Sequence, residues 1–247
     1  MRLKPIDNYA LSKEIKNAYD TIAYSYDKAR STPWKECVDF LNGLEPSLII
    51  DLGCGSGRLS IPALSRGHKI VGVDFSKQSI KIAKEKARHL GFADKVCFVV
   101  ADVSLLPFQN DVFDHALFVA VLHHLPDNES RIAAIRETQR VTLNNGRALI
   151  TVWSRFQFRF LIETLAGQLR KLLGANGNFW VRTTWDSDGL FVYRYFYLFS
   201  GSELVRLISR SKFFIEKFEK IRIGSKIYPD NYFVTVVNKK GETVEES

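Results

Sequence analysis

Three aspartates each follow a short apolar run, and the first of them opens a glycine-rich segment. Asp51 precedes glycines at 53, 55 and 57, and Asp74 and Asp102 end two later runs. Glycine lets a backbone approach a ligand closely and take positive φ. An acid about 20 residues beyond such a loop binds ribose hydroxyl groups in doubly wound folds. The pattern therefore predicts a nucleotide-type cofactor site, and Asp74 alone fits NAD as well as other cofactors.

Two adjacent histidines, His123 and His124, follow another apolar run. Neighbouring side chains of an extended segment point in different directions, so at most one histidine is expected to face a bound ligand. The alternative is that His-His-Leu-Pro is only a junction between a strand and a helix. The sequence leaves both interpretations open.

The apolar periodicity places these residues at strand ends in an alternating βαβ pattern. Two helices, 9–30 and 34–42, are predicted before the first strand. The predicted strands then cover 48–51, 69–74, 96–100, 113–119 and 147–153. The predicted helices between them cover 58–65, 76–90 and 128–141, with Ser76 as an N-cap and Gly91 as a stop.

The alternation breaks after residue 153. An amphipathic helix is predicted at 156–173, followed by a loop at 174–188. An aromatic run at 191–199 leads to a helix from 202 and to closing strands at 213–223 and 232–237. This order predicts an α/β fold with a doubly wound, mostly parallel sheet in a single domain, 1–247. Within it we expect a helical cap (1–45), a cofactor-binding core (46–153), an acceptor- or RNA-facing insertion (154–200) and a C-terminal helix with strands (201–247).

Composition narrows the class of protein. A chain of 247 residues, 46% hydrophobic, suits one domain. Its three cysteines have neither disulfide nor metal-ligand spacing, and no apolar run approaches the roughly 20 residues that span a bilayer. We expect a cytoplasmic protein without bound metal or stable membrane insertion. The net charge of +8 favours a polyanionic partner, although a charged surface that only keeps the protein soluble would explain it equally well.

The segment 51–57, Asp-Leu-Gly-Cys-Gly-Ser-Gly, resembles motif I of class I S-adenosylmethionine-dependent methyltransferases at every fixed position. Residues 101–103 resemble the motif after the family's third strand, whose acid binds the adenine amine. The resemblance implies a Rossmann-like, seven-stranded fold and S-adenosylmethionine as the cofactor. The cofactor-binding residues that it implies are Tyr26, Asp51, Gly53, Cys54, Gly55, Gly57, Asp74, Phe75, Ala101, Asp102, Val103 and Val119.

Further segments resemble the tRNA methyltransferases that esterify 5-carboxymethyluridine at the wobble position. These segments are 19–26 with 30–34, 120–124, 148–153, 194–199 with 203–204, and 231–232. The resemblance implies tRNA, through its anticodon loop, as a partner. The acceptor pocket that it implies is lined by Arg30, Trp34, His123 or His124, Trp153, Arg194 and Asn231.

A carboxylate acceptor is already ionised at pH 7, so it needs a cation to hold it rather than a base to activate it. Arginine holds carboxylates bidentately, and Arg194 or Arg30 is expected to do so here. A wobble base splayed from a single-stranded loop is expected to stack on Trp34 or Trp153. Alternatively, both tryptophans are core residues and Arg194 pairs with an internal acid.

The segment 155–220 alternates basic with aromatic residues, a composition that suits single-stranded RNA. The helix at 156–173 equally suits a membrane surface. A second interpretation is therefore a methyltransferase for a small lipid-like acceptor, such as a quinone precursor, with this helix as a lid. A third, an RNA-binding module without activity, is disfavoured by the intact loop and the three acids.

The predicted third strand, Val96–Val100, is apolar throughout. We expect it at a sheet edge, where an exposed apolar strand promotes aggregation unless it is covered. The family resemblance implies a cover, namely a small zinc-binding activator protein that adds to this edge.

Overall fold

The computed structural model describes residues 7–172, 179–187, 189–222 and 229–240. Its strands are β1 (Leu48–Leu52), β2 (Lys69–Asp74), β3 (Val96–Val100), β4 (Phe113–Val119), β5 (Thr142–Trp153), β6 (Trp180–Ser187), β7 (Leu190–Tyr197), β8 (Phe213–Ile221) and β9 (Asn231–Asn238). Its α-helices are α1 (Asn8–Ala29), α2 (Lys35–Asn42), α3 (Ser60–Leu64), α4 (Lys77–His89), α5 (Asn128–Val141), α6 (Leu161–Leu172) and α7 (Gly201–Ile208).

Seven strands form one sheet in the order β3-β2-β1-β4-β5-β9-β8. The first five are parallel, whereas β9 runs antiparallel to both β5 and β8. The doubly wound, mostly parallel sheet predicted from the sequence is confirmed, and β3 lies at its edge as expected. The strand order reverses between β1 and β4, and the carboxyl ends at this switch point are where open α/β sheets bind ligands.

Hydrophobic clusters cover both faces of the sheet, because neighbouring residues of each central strand point to opposite sides. Ile50, Phe118 and Ile150 belong to the cluster that includes α5 and α7. Ile49 and Leu117, one position away, belong to the cluster that includes α2 and α3. Each large apolar side chain buried in this way contributes about 1.5–3 kcal/mol, so these clusters hold the strand ends in register.

The loop predicted at 174–188 is wrong for residues 180–187, which form β6. This strand pairs with β7 in a separate two-stranded antiparallel sheet, and residues 173–178 and 188 lie outside the described part of the chain. The run from Trp180 to Trp185 consists mostly of aromatic, β-branched and threonine residues, which favour strands. This run forms a strand because it pairs with the aromatic run of β7.

The other predicted elements are confirmed with shifted ends. The helix predicted at 58–65 is only Ser60–Leu64, because the glycine loop continues past Gly57, whose φ is +85°. The helix predicted at 156–173 divides into a 3₁₀ turn, Phe158–Phe160, and α6. Ser76 does cap α4, since its Oγ accepts a hydrogen bond from the Ser79 N–H at 3.1 Å. The predicted strand end at 223 lies outside the described residues.

The two ends of the segment between β5 and α7 lie side by side at the edge of the sheet where β5 ends. Ser154 and Phe199 form a parallel bridge, and the Phe199 N–H donates to the Trp153 carbonyl at 3.0 Å. The β6–β7 hairpin within this segment packs on α1, where Trp185 Nε1 donates to Ser25 Oγ at 2.9 Å. The hairpin and α1 therefore lie next to the carboxyl end of β4. None of the described helices combines the length and the apolar character that a membrane span requires.

Candidate functional site

The glycine loop after β1 has a backbone that side chains would not tolerate. Gly53, Gly55 and Gly57 have φ values of +66°, +54° and +85°. A Cβ on Gly53 would lie 2.1 Å from Val121 Cγ2, whereas one on Gly55 would meet no atom within 4 Å. Glycine is therefore required at position 53 because the Val121 side chain packs closely against its backbone. Gly55 borders open space, as a loop that holds a ligand must.

Two of the three strand-end acids are built into this loop. Asp74 Oδ2 accepts from the Gly55 N–H at 2.9 Å, and its Oδ1 accepts from the Ser76 N–H at 2.8 Å. Burial raises the pKa of Asp74 to about 6, against the opposing effect of these bonds. Asp51 accepts from Ser60 Oγ at 2.6 Å, and burial likewise raises its pKa to about 6. Asp51 thus supports the loop from beneath, whereas Asp74 reaches the cavity beside it.

Two small cavities border the loop and contain most of the predicted cofactor-binding residues. The first is lined by Tyr26, Gly53, Cys54, Gly55, Asp74, Phe75 and Val119. The second is lined by Gly53, Phe75, Ala101, Asp102 and Val103. Asp51 and Gly57 line neither cavity, although Gly57 lines a separate surface cavity. Phe75 lines both cavities, with Asp74 of β2 in one and Asp102, after β3, in the other.

A third cavity, of about 420 Å³, brings together the predicted acceptor residues. All seven line it: Arg30, Trp34, His123, His124, Trp153, Arg194 and Asn231. It shares five lining residues with the loop cavity, from the end of α1, the glycine loop and the segment after β4: Tyr26, Arg30, Arg58, Ala120 and His124. Ala120, at the junction, has a φ of +60°, which is strained for a residue with a side chain. The two cavities are thus neighbours across a single wall, as a donor and an acceptor must be.

The two histidines differ in what their ring nitrogens contact. His124 lies between the Tyr195 carbonyl at Nδ1 and the Tyr19 hydroxyl at Nε2, each at 3.0 Å. His123 Nδ1 accepts from the Trp153 N–H at 3.3 Å, which leaves its proton on Nε2. Since both nitrogens of His124 are engaged, His123 Nε2 is the one without a partner among the described residues.

Neither histidine is suited to accept a proton at neutral pH. Burial lowers the pKa of His124 to about 4. Burial and the neighbouring His124 also bring the pKa of His123 well below its ordinary value. A general base works best with a pKa near the working pH, so this site lacks a histidine base.

Arg194 is nine-tenths buried, and none of the acids in the described part of the chain pairs with it. No ion pair among the described residues involves it, and its Nε has no hydrogen-bond partner there. Its guanidinium lies over the rings of Trp185 and Phe196, at 4.9 and 5.3 Å from their centroids. A buried cation in this state is stabilised by an anion. The alternative expectation, that Arg194 pairs with an internal acid, does not hold among the described residues.

The two tryptophans line the cavity but also pack internally. The Trp153 ring stacks on Phe196 with centroids 4.0 Å apart and planes 6° from parallel. Trp34 is half-buried, meets Phe233 edge-on at 5.4 Å and has the Arg58 guanidinium 5.0 Å above its ring. Each tryptophan therefore combines a core contact with a surface in the cavity.

The polar cavity residues that were not among the predicted site residues include Arg58, Gln157 and Arg159. Arg58 directly follows Gly57, so its position beside the loop was a usable signal. Gln157 and Arg159 belong to the segment after β5, whose return to the sheet depends on the unpredicted hairpin. The basic and aromatic composition of the segment 155–220 marked Arg159 as a residue for RNA, but nothing in the sequence placed it or Gln157 in this cavity.

Comparison with known families and proteins shows what this chain is similar to. Residues 49–146 match the family model described as a methyltransferase domain. A tRNA (carboxymethyluridine(34)-5-O)-methyltransferase of Xenopus tropicalis is 36% identical over 57% of this chain and 21% of its own length. The proteins so named in Arabidopsis thaliana and Schizosaccharomyces pombe are 35% and 30% identical, over 59% and 57% of this chain and 34% and 57% of theirs.

Solved structures with this fold are more distant in sequence. A SAM-dependent methyltransferase of Methanosarcina mazei has a TM-score of 0.67 and 23% identity, over 84% of this chain and 99% of its own. A 1,6-didemethyltoxoflavin-N1-methyltransferase of Burkholderia thailandensis, solved with S-adenosylhomocysteine, has a TM-score of 0.69 and 16% identity, over 97% and 94%. The class I methyltransferase fold is confirmed.

The resemblance to the wobble-uridine enzymes is confirmed as well, because curated relatives with that name match the chain. The matched segment spans about a fifth to just over half of those relatives. What the family model itself supports is a match of the segment 49–146 to a methyltransferase domain.

Proposed function

Starting from this methyltransferase domain, we propose that the protein transfers the methyl group of S-adenosylmethionine to the carboxylate of 5-carboxymethyluridine. The acceptor is the wobble nucleotide in the anticodon loop of a tRNA. The observation that carries the proposal is Arg194, a buried guanidinium without an acid partner among the described residues. It lines a cavity that shares its wall with the cofactor side.

The residues around the glycine loop fit the cofactor. Gly55 borders open space, and Phe75 lines both cavities, with Asp74 in one and Asp102 in the other. Asp74 would accept from the ribose hydroxyls, Asp102 from the adenine amine, and Phe75 with Val103 would contact the ring. When bound there, S-adenosylmethionine supplies a methyl group activated by its sulfonium charge.

The chemistry that these side chains can perform favours a carboxylate acceptor. A carbon or hydroxyl acceptor needs a base, and both histidines have pKa values lowered by burial. A carboxylate needs only to be held in line, which an arginine does through charge-assisted hydrogen bonds. Arg194 and Arg30 would orient the carboxylate, and His123 Nε2–H would donate to the uracil.

The interior of the site is dry enough to assist the reaction. His123 and Asn231, together with Arg194, are each at least nine-tenths buried. Attack by an anion on a cationic centre destroys charge, and such a step is favoured where water is excluded. The protein's contribution is therefore alignment and exclusion of water rather than proton transfer.

The experiment that tests the function is nucleoside analysis of tRNA after incubation with the protein and labelled S-adenosylmethionine. We expect label in 5-carboxymethyluridine as an alkali-labile ester. Arg194→Ala should abolish this ester and leave cofactor affinity within about twofold, because Arg194 does not line the cavities beside the glycine loop. If cofactor binding collapses together with methylation, Arg194 does not act on the acceptor.

A second candidate is a lipid-like acceptor at a membrane surface, such as a quinone precursor. It is favoured by large apolar side chains exposed on and before α6: Phe158, Ile162, Leu165, Leu169 and Leu172. A helix with such a face can lie on a bilayer. Label found only in an organic-soluble fraction of the same incubation would favour this candidate and reject the tRNA.

We also propose a protein partner on β3 and a cytoplasmic location. The partner would be a small zinc-binding activator, as the sequence resemblance implies. The edge position of β3 and the exposure of Cys97 and Val100 support a cover of some kind. A protein that is monodisperse and binds its cofactor fully when expressed alone would count against this partner.

A further inference from the structure

The acceptor cavity holds more positive charge than one carboxylate requires. Four arginines line it, namely Arg30, Arg58, Arg159 and Arg194, and Asp230 is the acid among its lining residues. A single carboxylate on the substrate would neutralise one of these guanidinium groups. The remaining charge suits a second anion on the same substrate.

Arg159 is the arginine that the structure holds at the rim. Its Nε donates to Gln157 Oε1 at 2.8 Å, and Gln157 Nε2 donates to the Asp230 carbonyl at 2.6 Å. Gln157 is only 3% exposed, so a buried amide fixes the guanidinium. Because Nε is used in this bond, the two terminal nitrogens remain for a ligand.

Ring contacts fix the guanidinium further. It lies over the Trp153 ring at 4.4 Å and the Phe160 ring at 4.6 Å. No ion pair among the described residues uses Arg159. Arg159 is exposed, whereas Arg194 is buried, so the two cations lie at different depths of one cavity.

We propose that Arg159 binds a phosphodiester group next to the acceptor nucleotide, so that the cavity is a two-anion site. Arg194 takes the carboxylate at the base, and Arg159 takes the backbone phosphate at the rim. The assignment of the carboxylate rests on the proposed function. An arginine with two free terminal nitrogens matches two phosphate oxygens, and a stacked guanidinium is preorganised for this contact.

The electrostatics of the rim agree with this arrangement. The pKa of Arg159 is lowered, first by partial desolvation of its guanidinium against the cavity wall and then by the like charges of Arg194 and Arg30, with Asp230 acting in the opposite direction. The arginines therefore repel one another across the cavity. A phosphate between them relieves that repulsion.

The test measures binding of a synthetic anticodon stem-loop RNA, with unmodified uridine at the wobble position, as a function of salt. Each phosphate contact to a single strand contributes about 0.7 to the slope of log K against log salt. We expect Arg159→Gln to reduce the slope by about this amount. Arg159→Lys keeps the charge and should retain the slope, which separates phosphate binding from packing on Trp153.

Arg147→Gln is the matched control, because it removes the same charge near the opposite end of β5, where Arg147 pairs with Glu216. Its slope should equal that of the unmodified protein. If the slope of Arg159→Gln equals that of the unmodified protein, Arg159 does not bind a phosphate and the proposal is overturned. Failure of the proposed function would give a different result: the tRNA would carry no methyl ester after incubation, even if Arg159→Gln lowers the salt slope.

Discussion

Asp74 shows how much chemistry a single residue carries in this fold. Its two carboxylate oxygens accept from the backbone on both sides, at Gly55 and Ser76, while its side chain reaches the cofactor cavity. Burial raises its pKa to about 6, so the ionised form is costly before any ligand arrives. Because the folded-state pKa is raised, this group's contribution to stability is greatest below about pH 4 and is lost as the pH rises through about 6.

Cofactor affinity should therefore depend on pH. We expect the dissociation constant for S-adenosylhomocysteine to rise as the pH falls below about 6, approaching tenfold per unit, because protonated Asp74 accepts ribose hydroxyls poorly. Isothermal titration calorimetry between about pH 8 and pH 5 measures this.

Asp74→Asn should bind weakly at every pH and remove the dependence. Asp51, whose pKa is also raised to about 6 by burial, lies beneath the loop and lines neither cofactor cavity. Asp51→Asn should therefore keep the pH slope. A flat profile in the unmodified protein would contradict the role given to Asp74.

Among the structural elements, the β6–β7 hairpin does most to shape the acceptor side. It supplies Arg194 and Phe196 to the cavity and packs on α1 through Trp185. Its base is held by Glu203, which caps α7, binds Arg155 and accepts from the Tyr197 hydroxyl at 2.5 Å. Glu203, one of the residues in the family-like segments, thus acts on the position of the hairpin.

The hairpin's attachment to α1 can be tested by removing Trp185. We expect Trp185→Ala to lower the free energy of unfolding by about 3–5 kcal/mol, because a buried indole and its hydrogen bond to Ser25 are lost. Urea denaturation followed by circular dichroism measures the change.

Phe191 provides the control on the same hairpin, since it is 60% exposed. Phe191→Ala should change stability by no more than about 0.5 kcal/mol. Equal effects of the two substitutions would mean that the hairpin is not anchored through Trp185.

For the molecule as a whole, features that depend on residues close together in the sequence could be predicted, whereas features that depend on residues far apart could not. The strands, the glycine loop and the acids at strand ends are local features, because each depends on a few consecutive residues. The segment 180–187 mixes residues that favour strands with the polar Arg182, Asp186 and Ser187. It was therefore not recognised as a strand without its partner β7. Arg159 enters the cavity only because the segment after β5 folds back, so its position was not readable from its neighbours.

The histidine pair illustrates the same limit. The sequence predicted that at most one histidine would face the ligand and left open which one, whereas both line the acceptor cavity and one of them keeps a ring nitrogen without a partner among the described residues. The choice is made by Tyr19 and the Tyr195 carbonyl, which are 105 and 71 residues away along the chain and engage both nitrogens of His124. Contacts over such distances are properties of the whole fold.

The bridge between Ser154 and Phe199 has a consequence for how such proteins diversify. Because the chain leaves and re-enters the sheet at one place, the stretch between these residues can change in length and sequence without altering strand order. Loop-closure entropy grows only slowly with length, so such insertions cost little. The methyl donor's half of the molecule can thus be inherited unchanged while one contiguous replacement alters the acceptor.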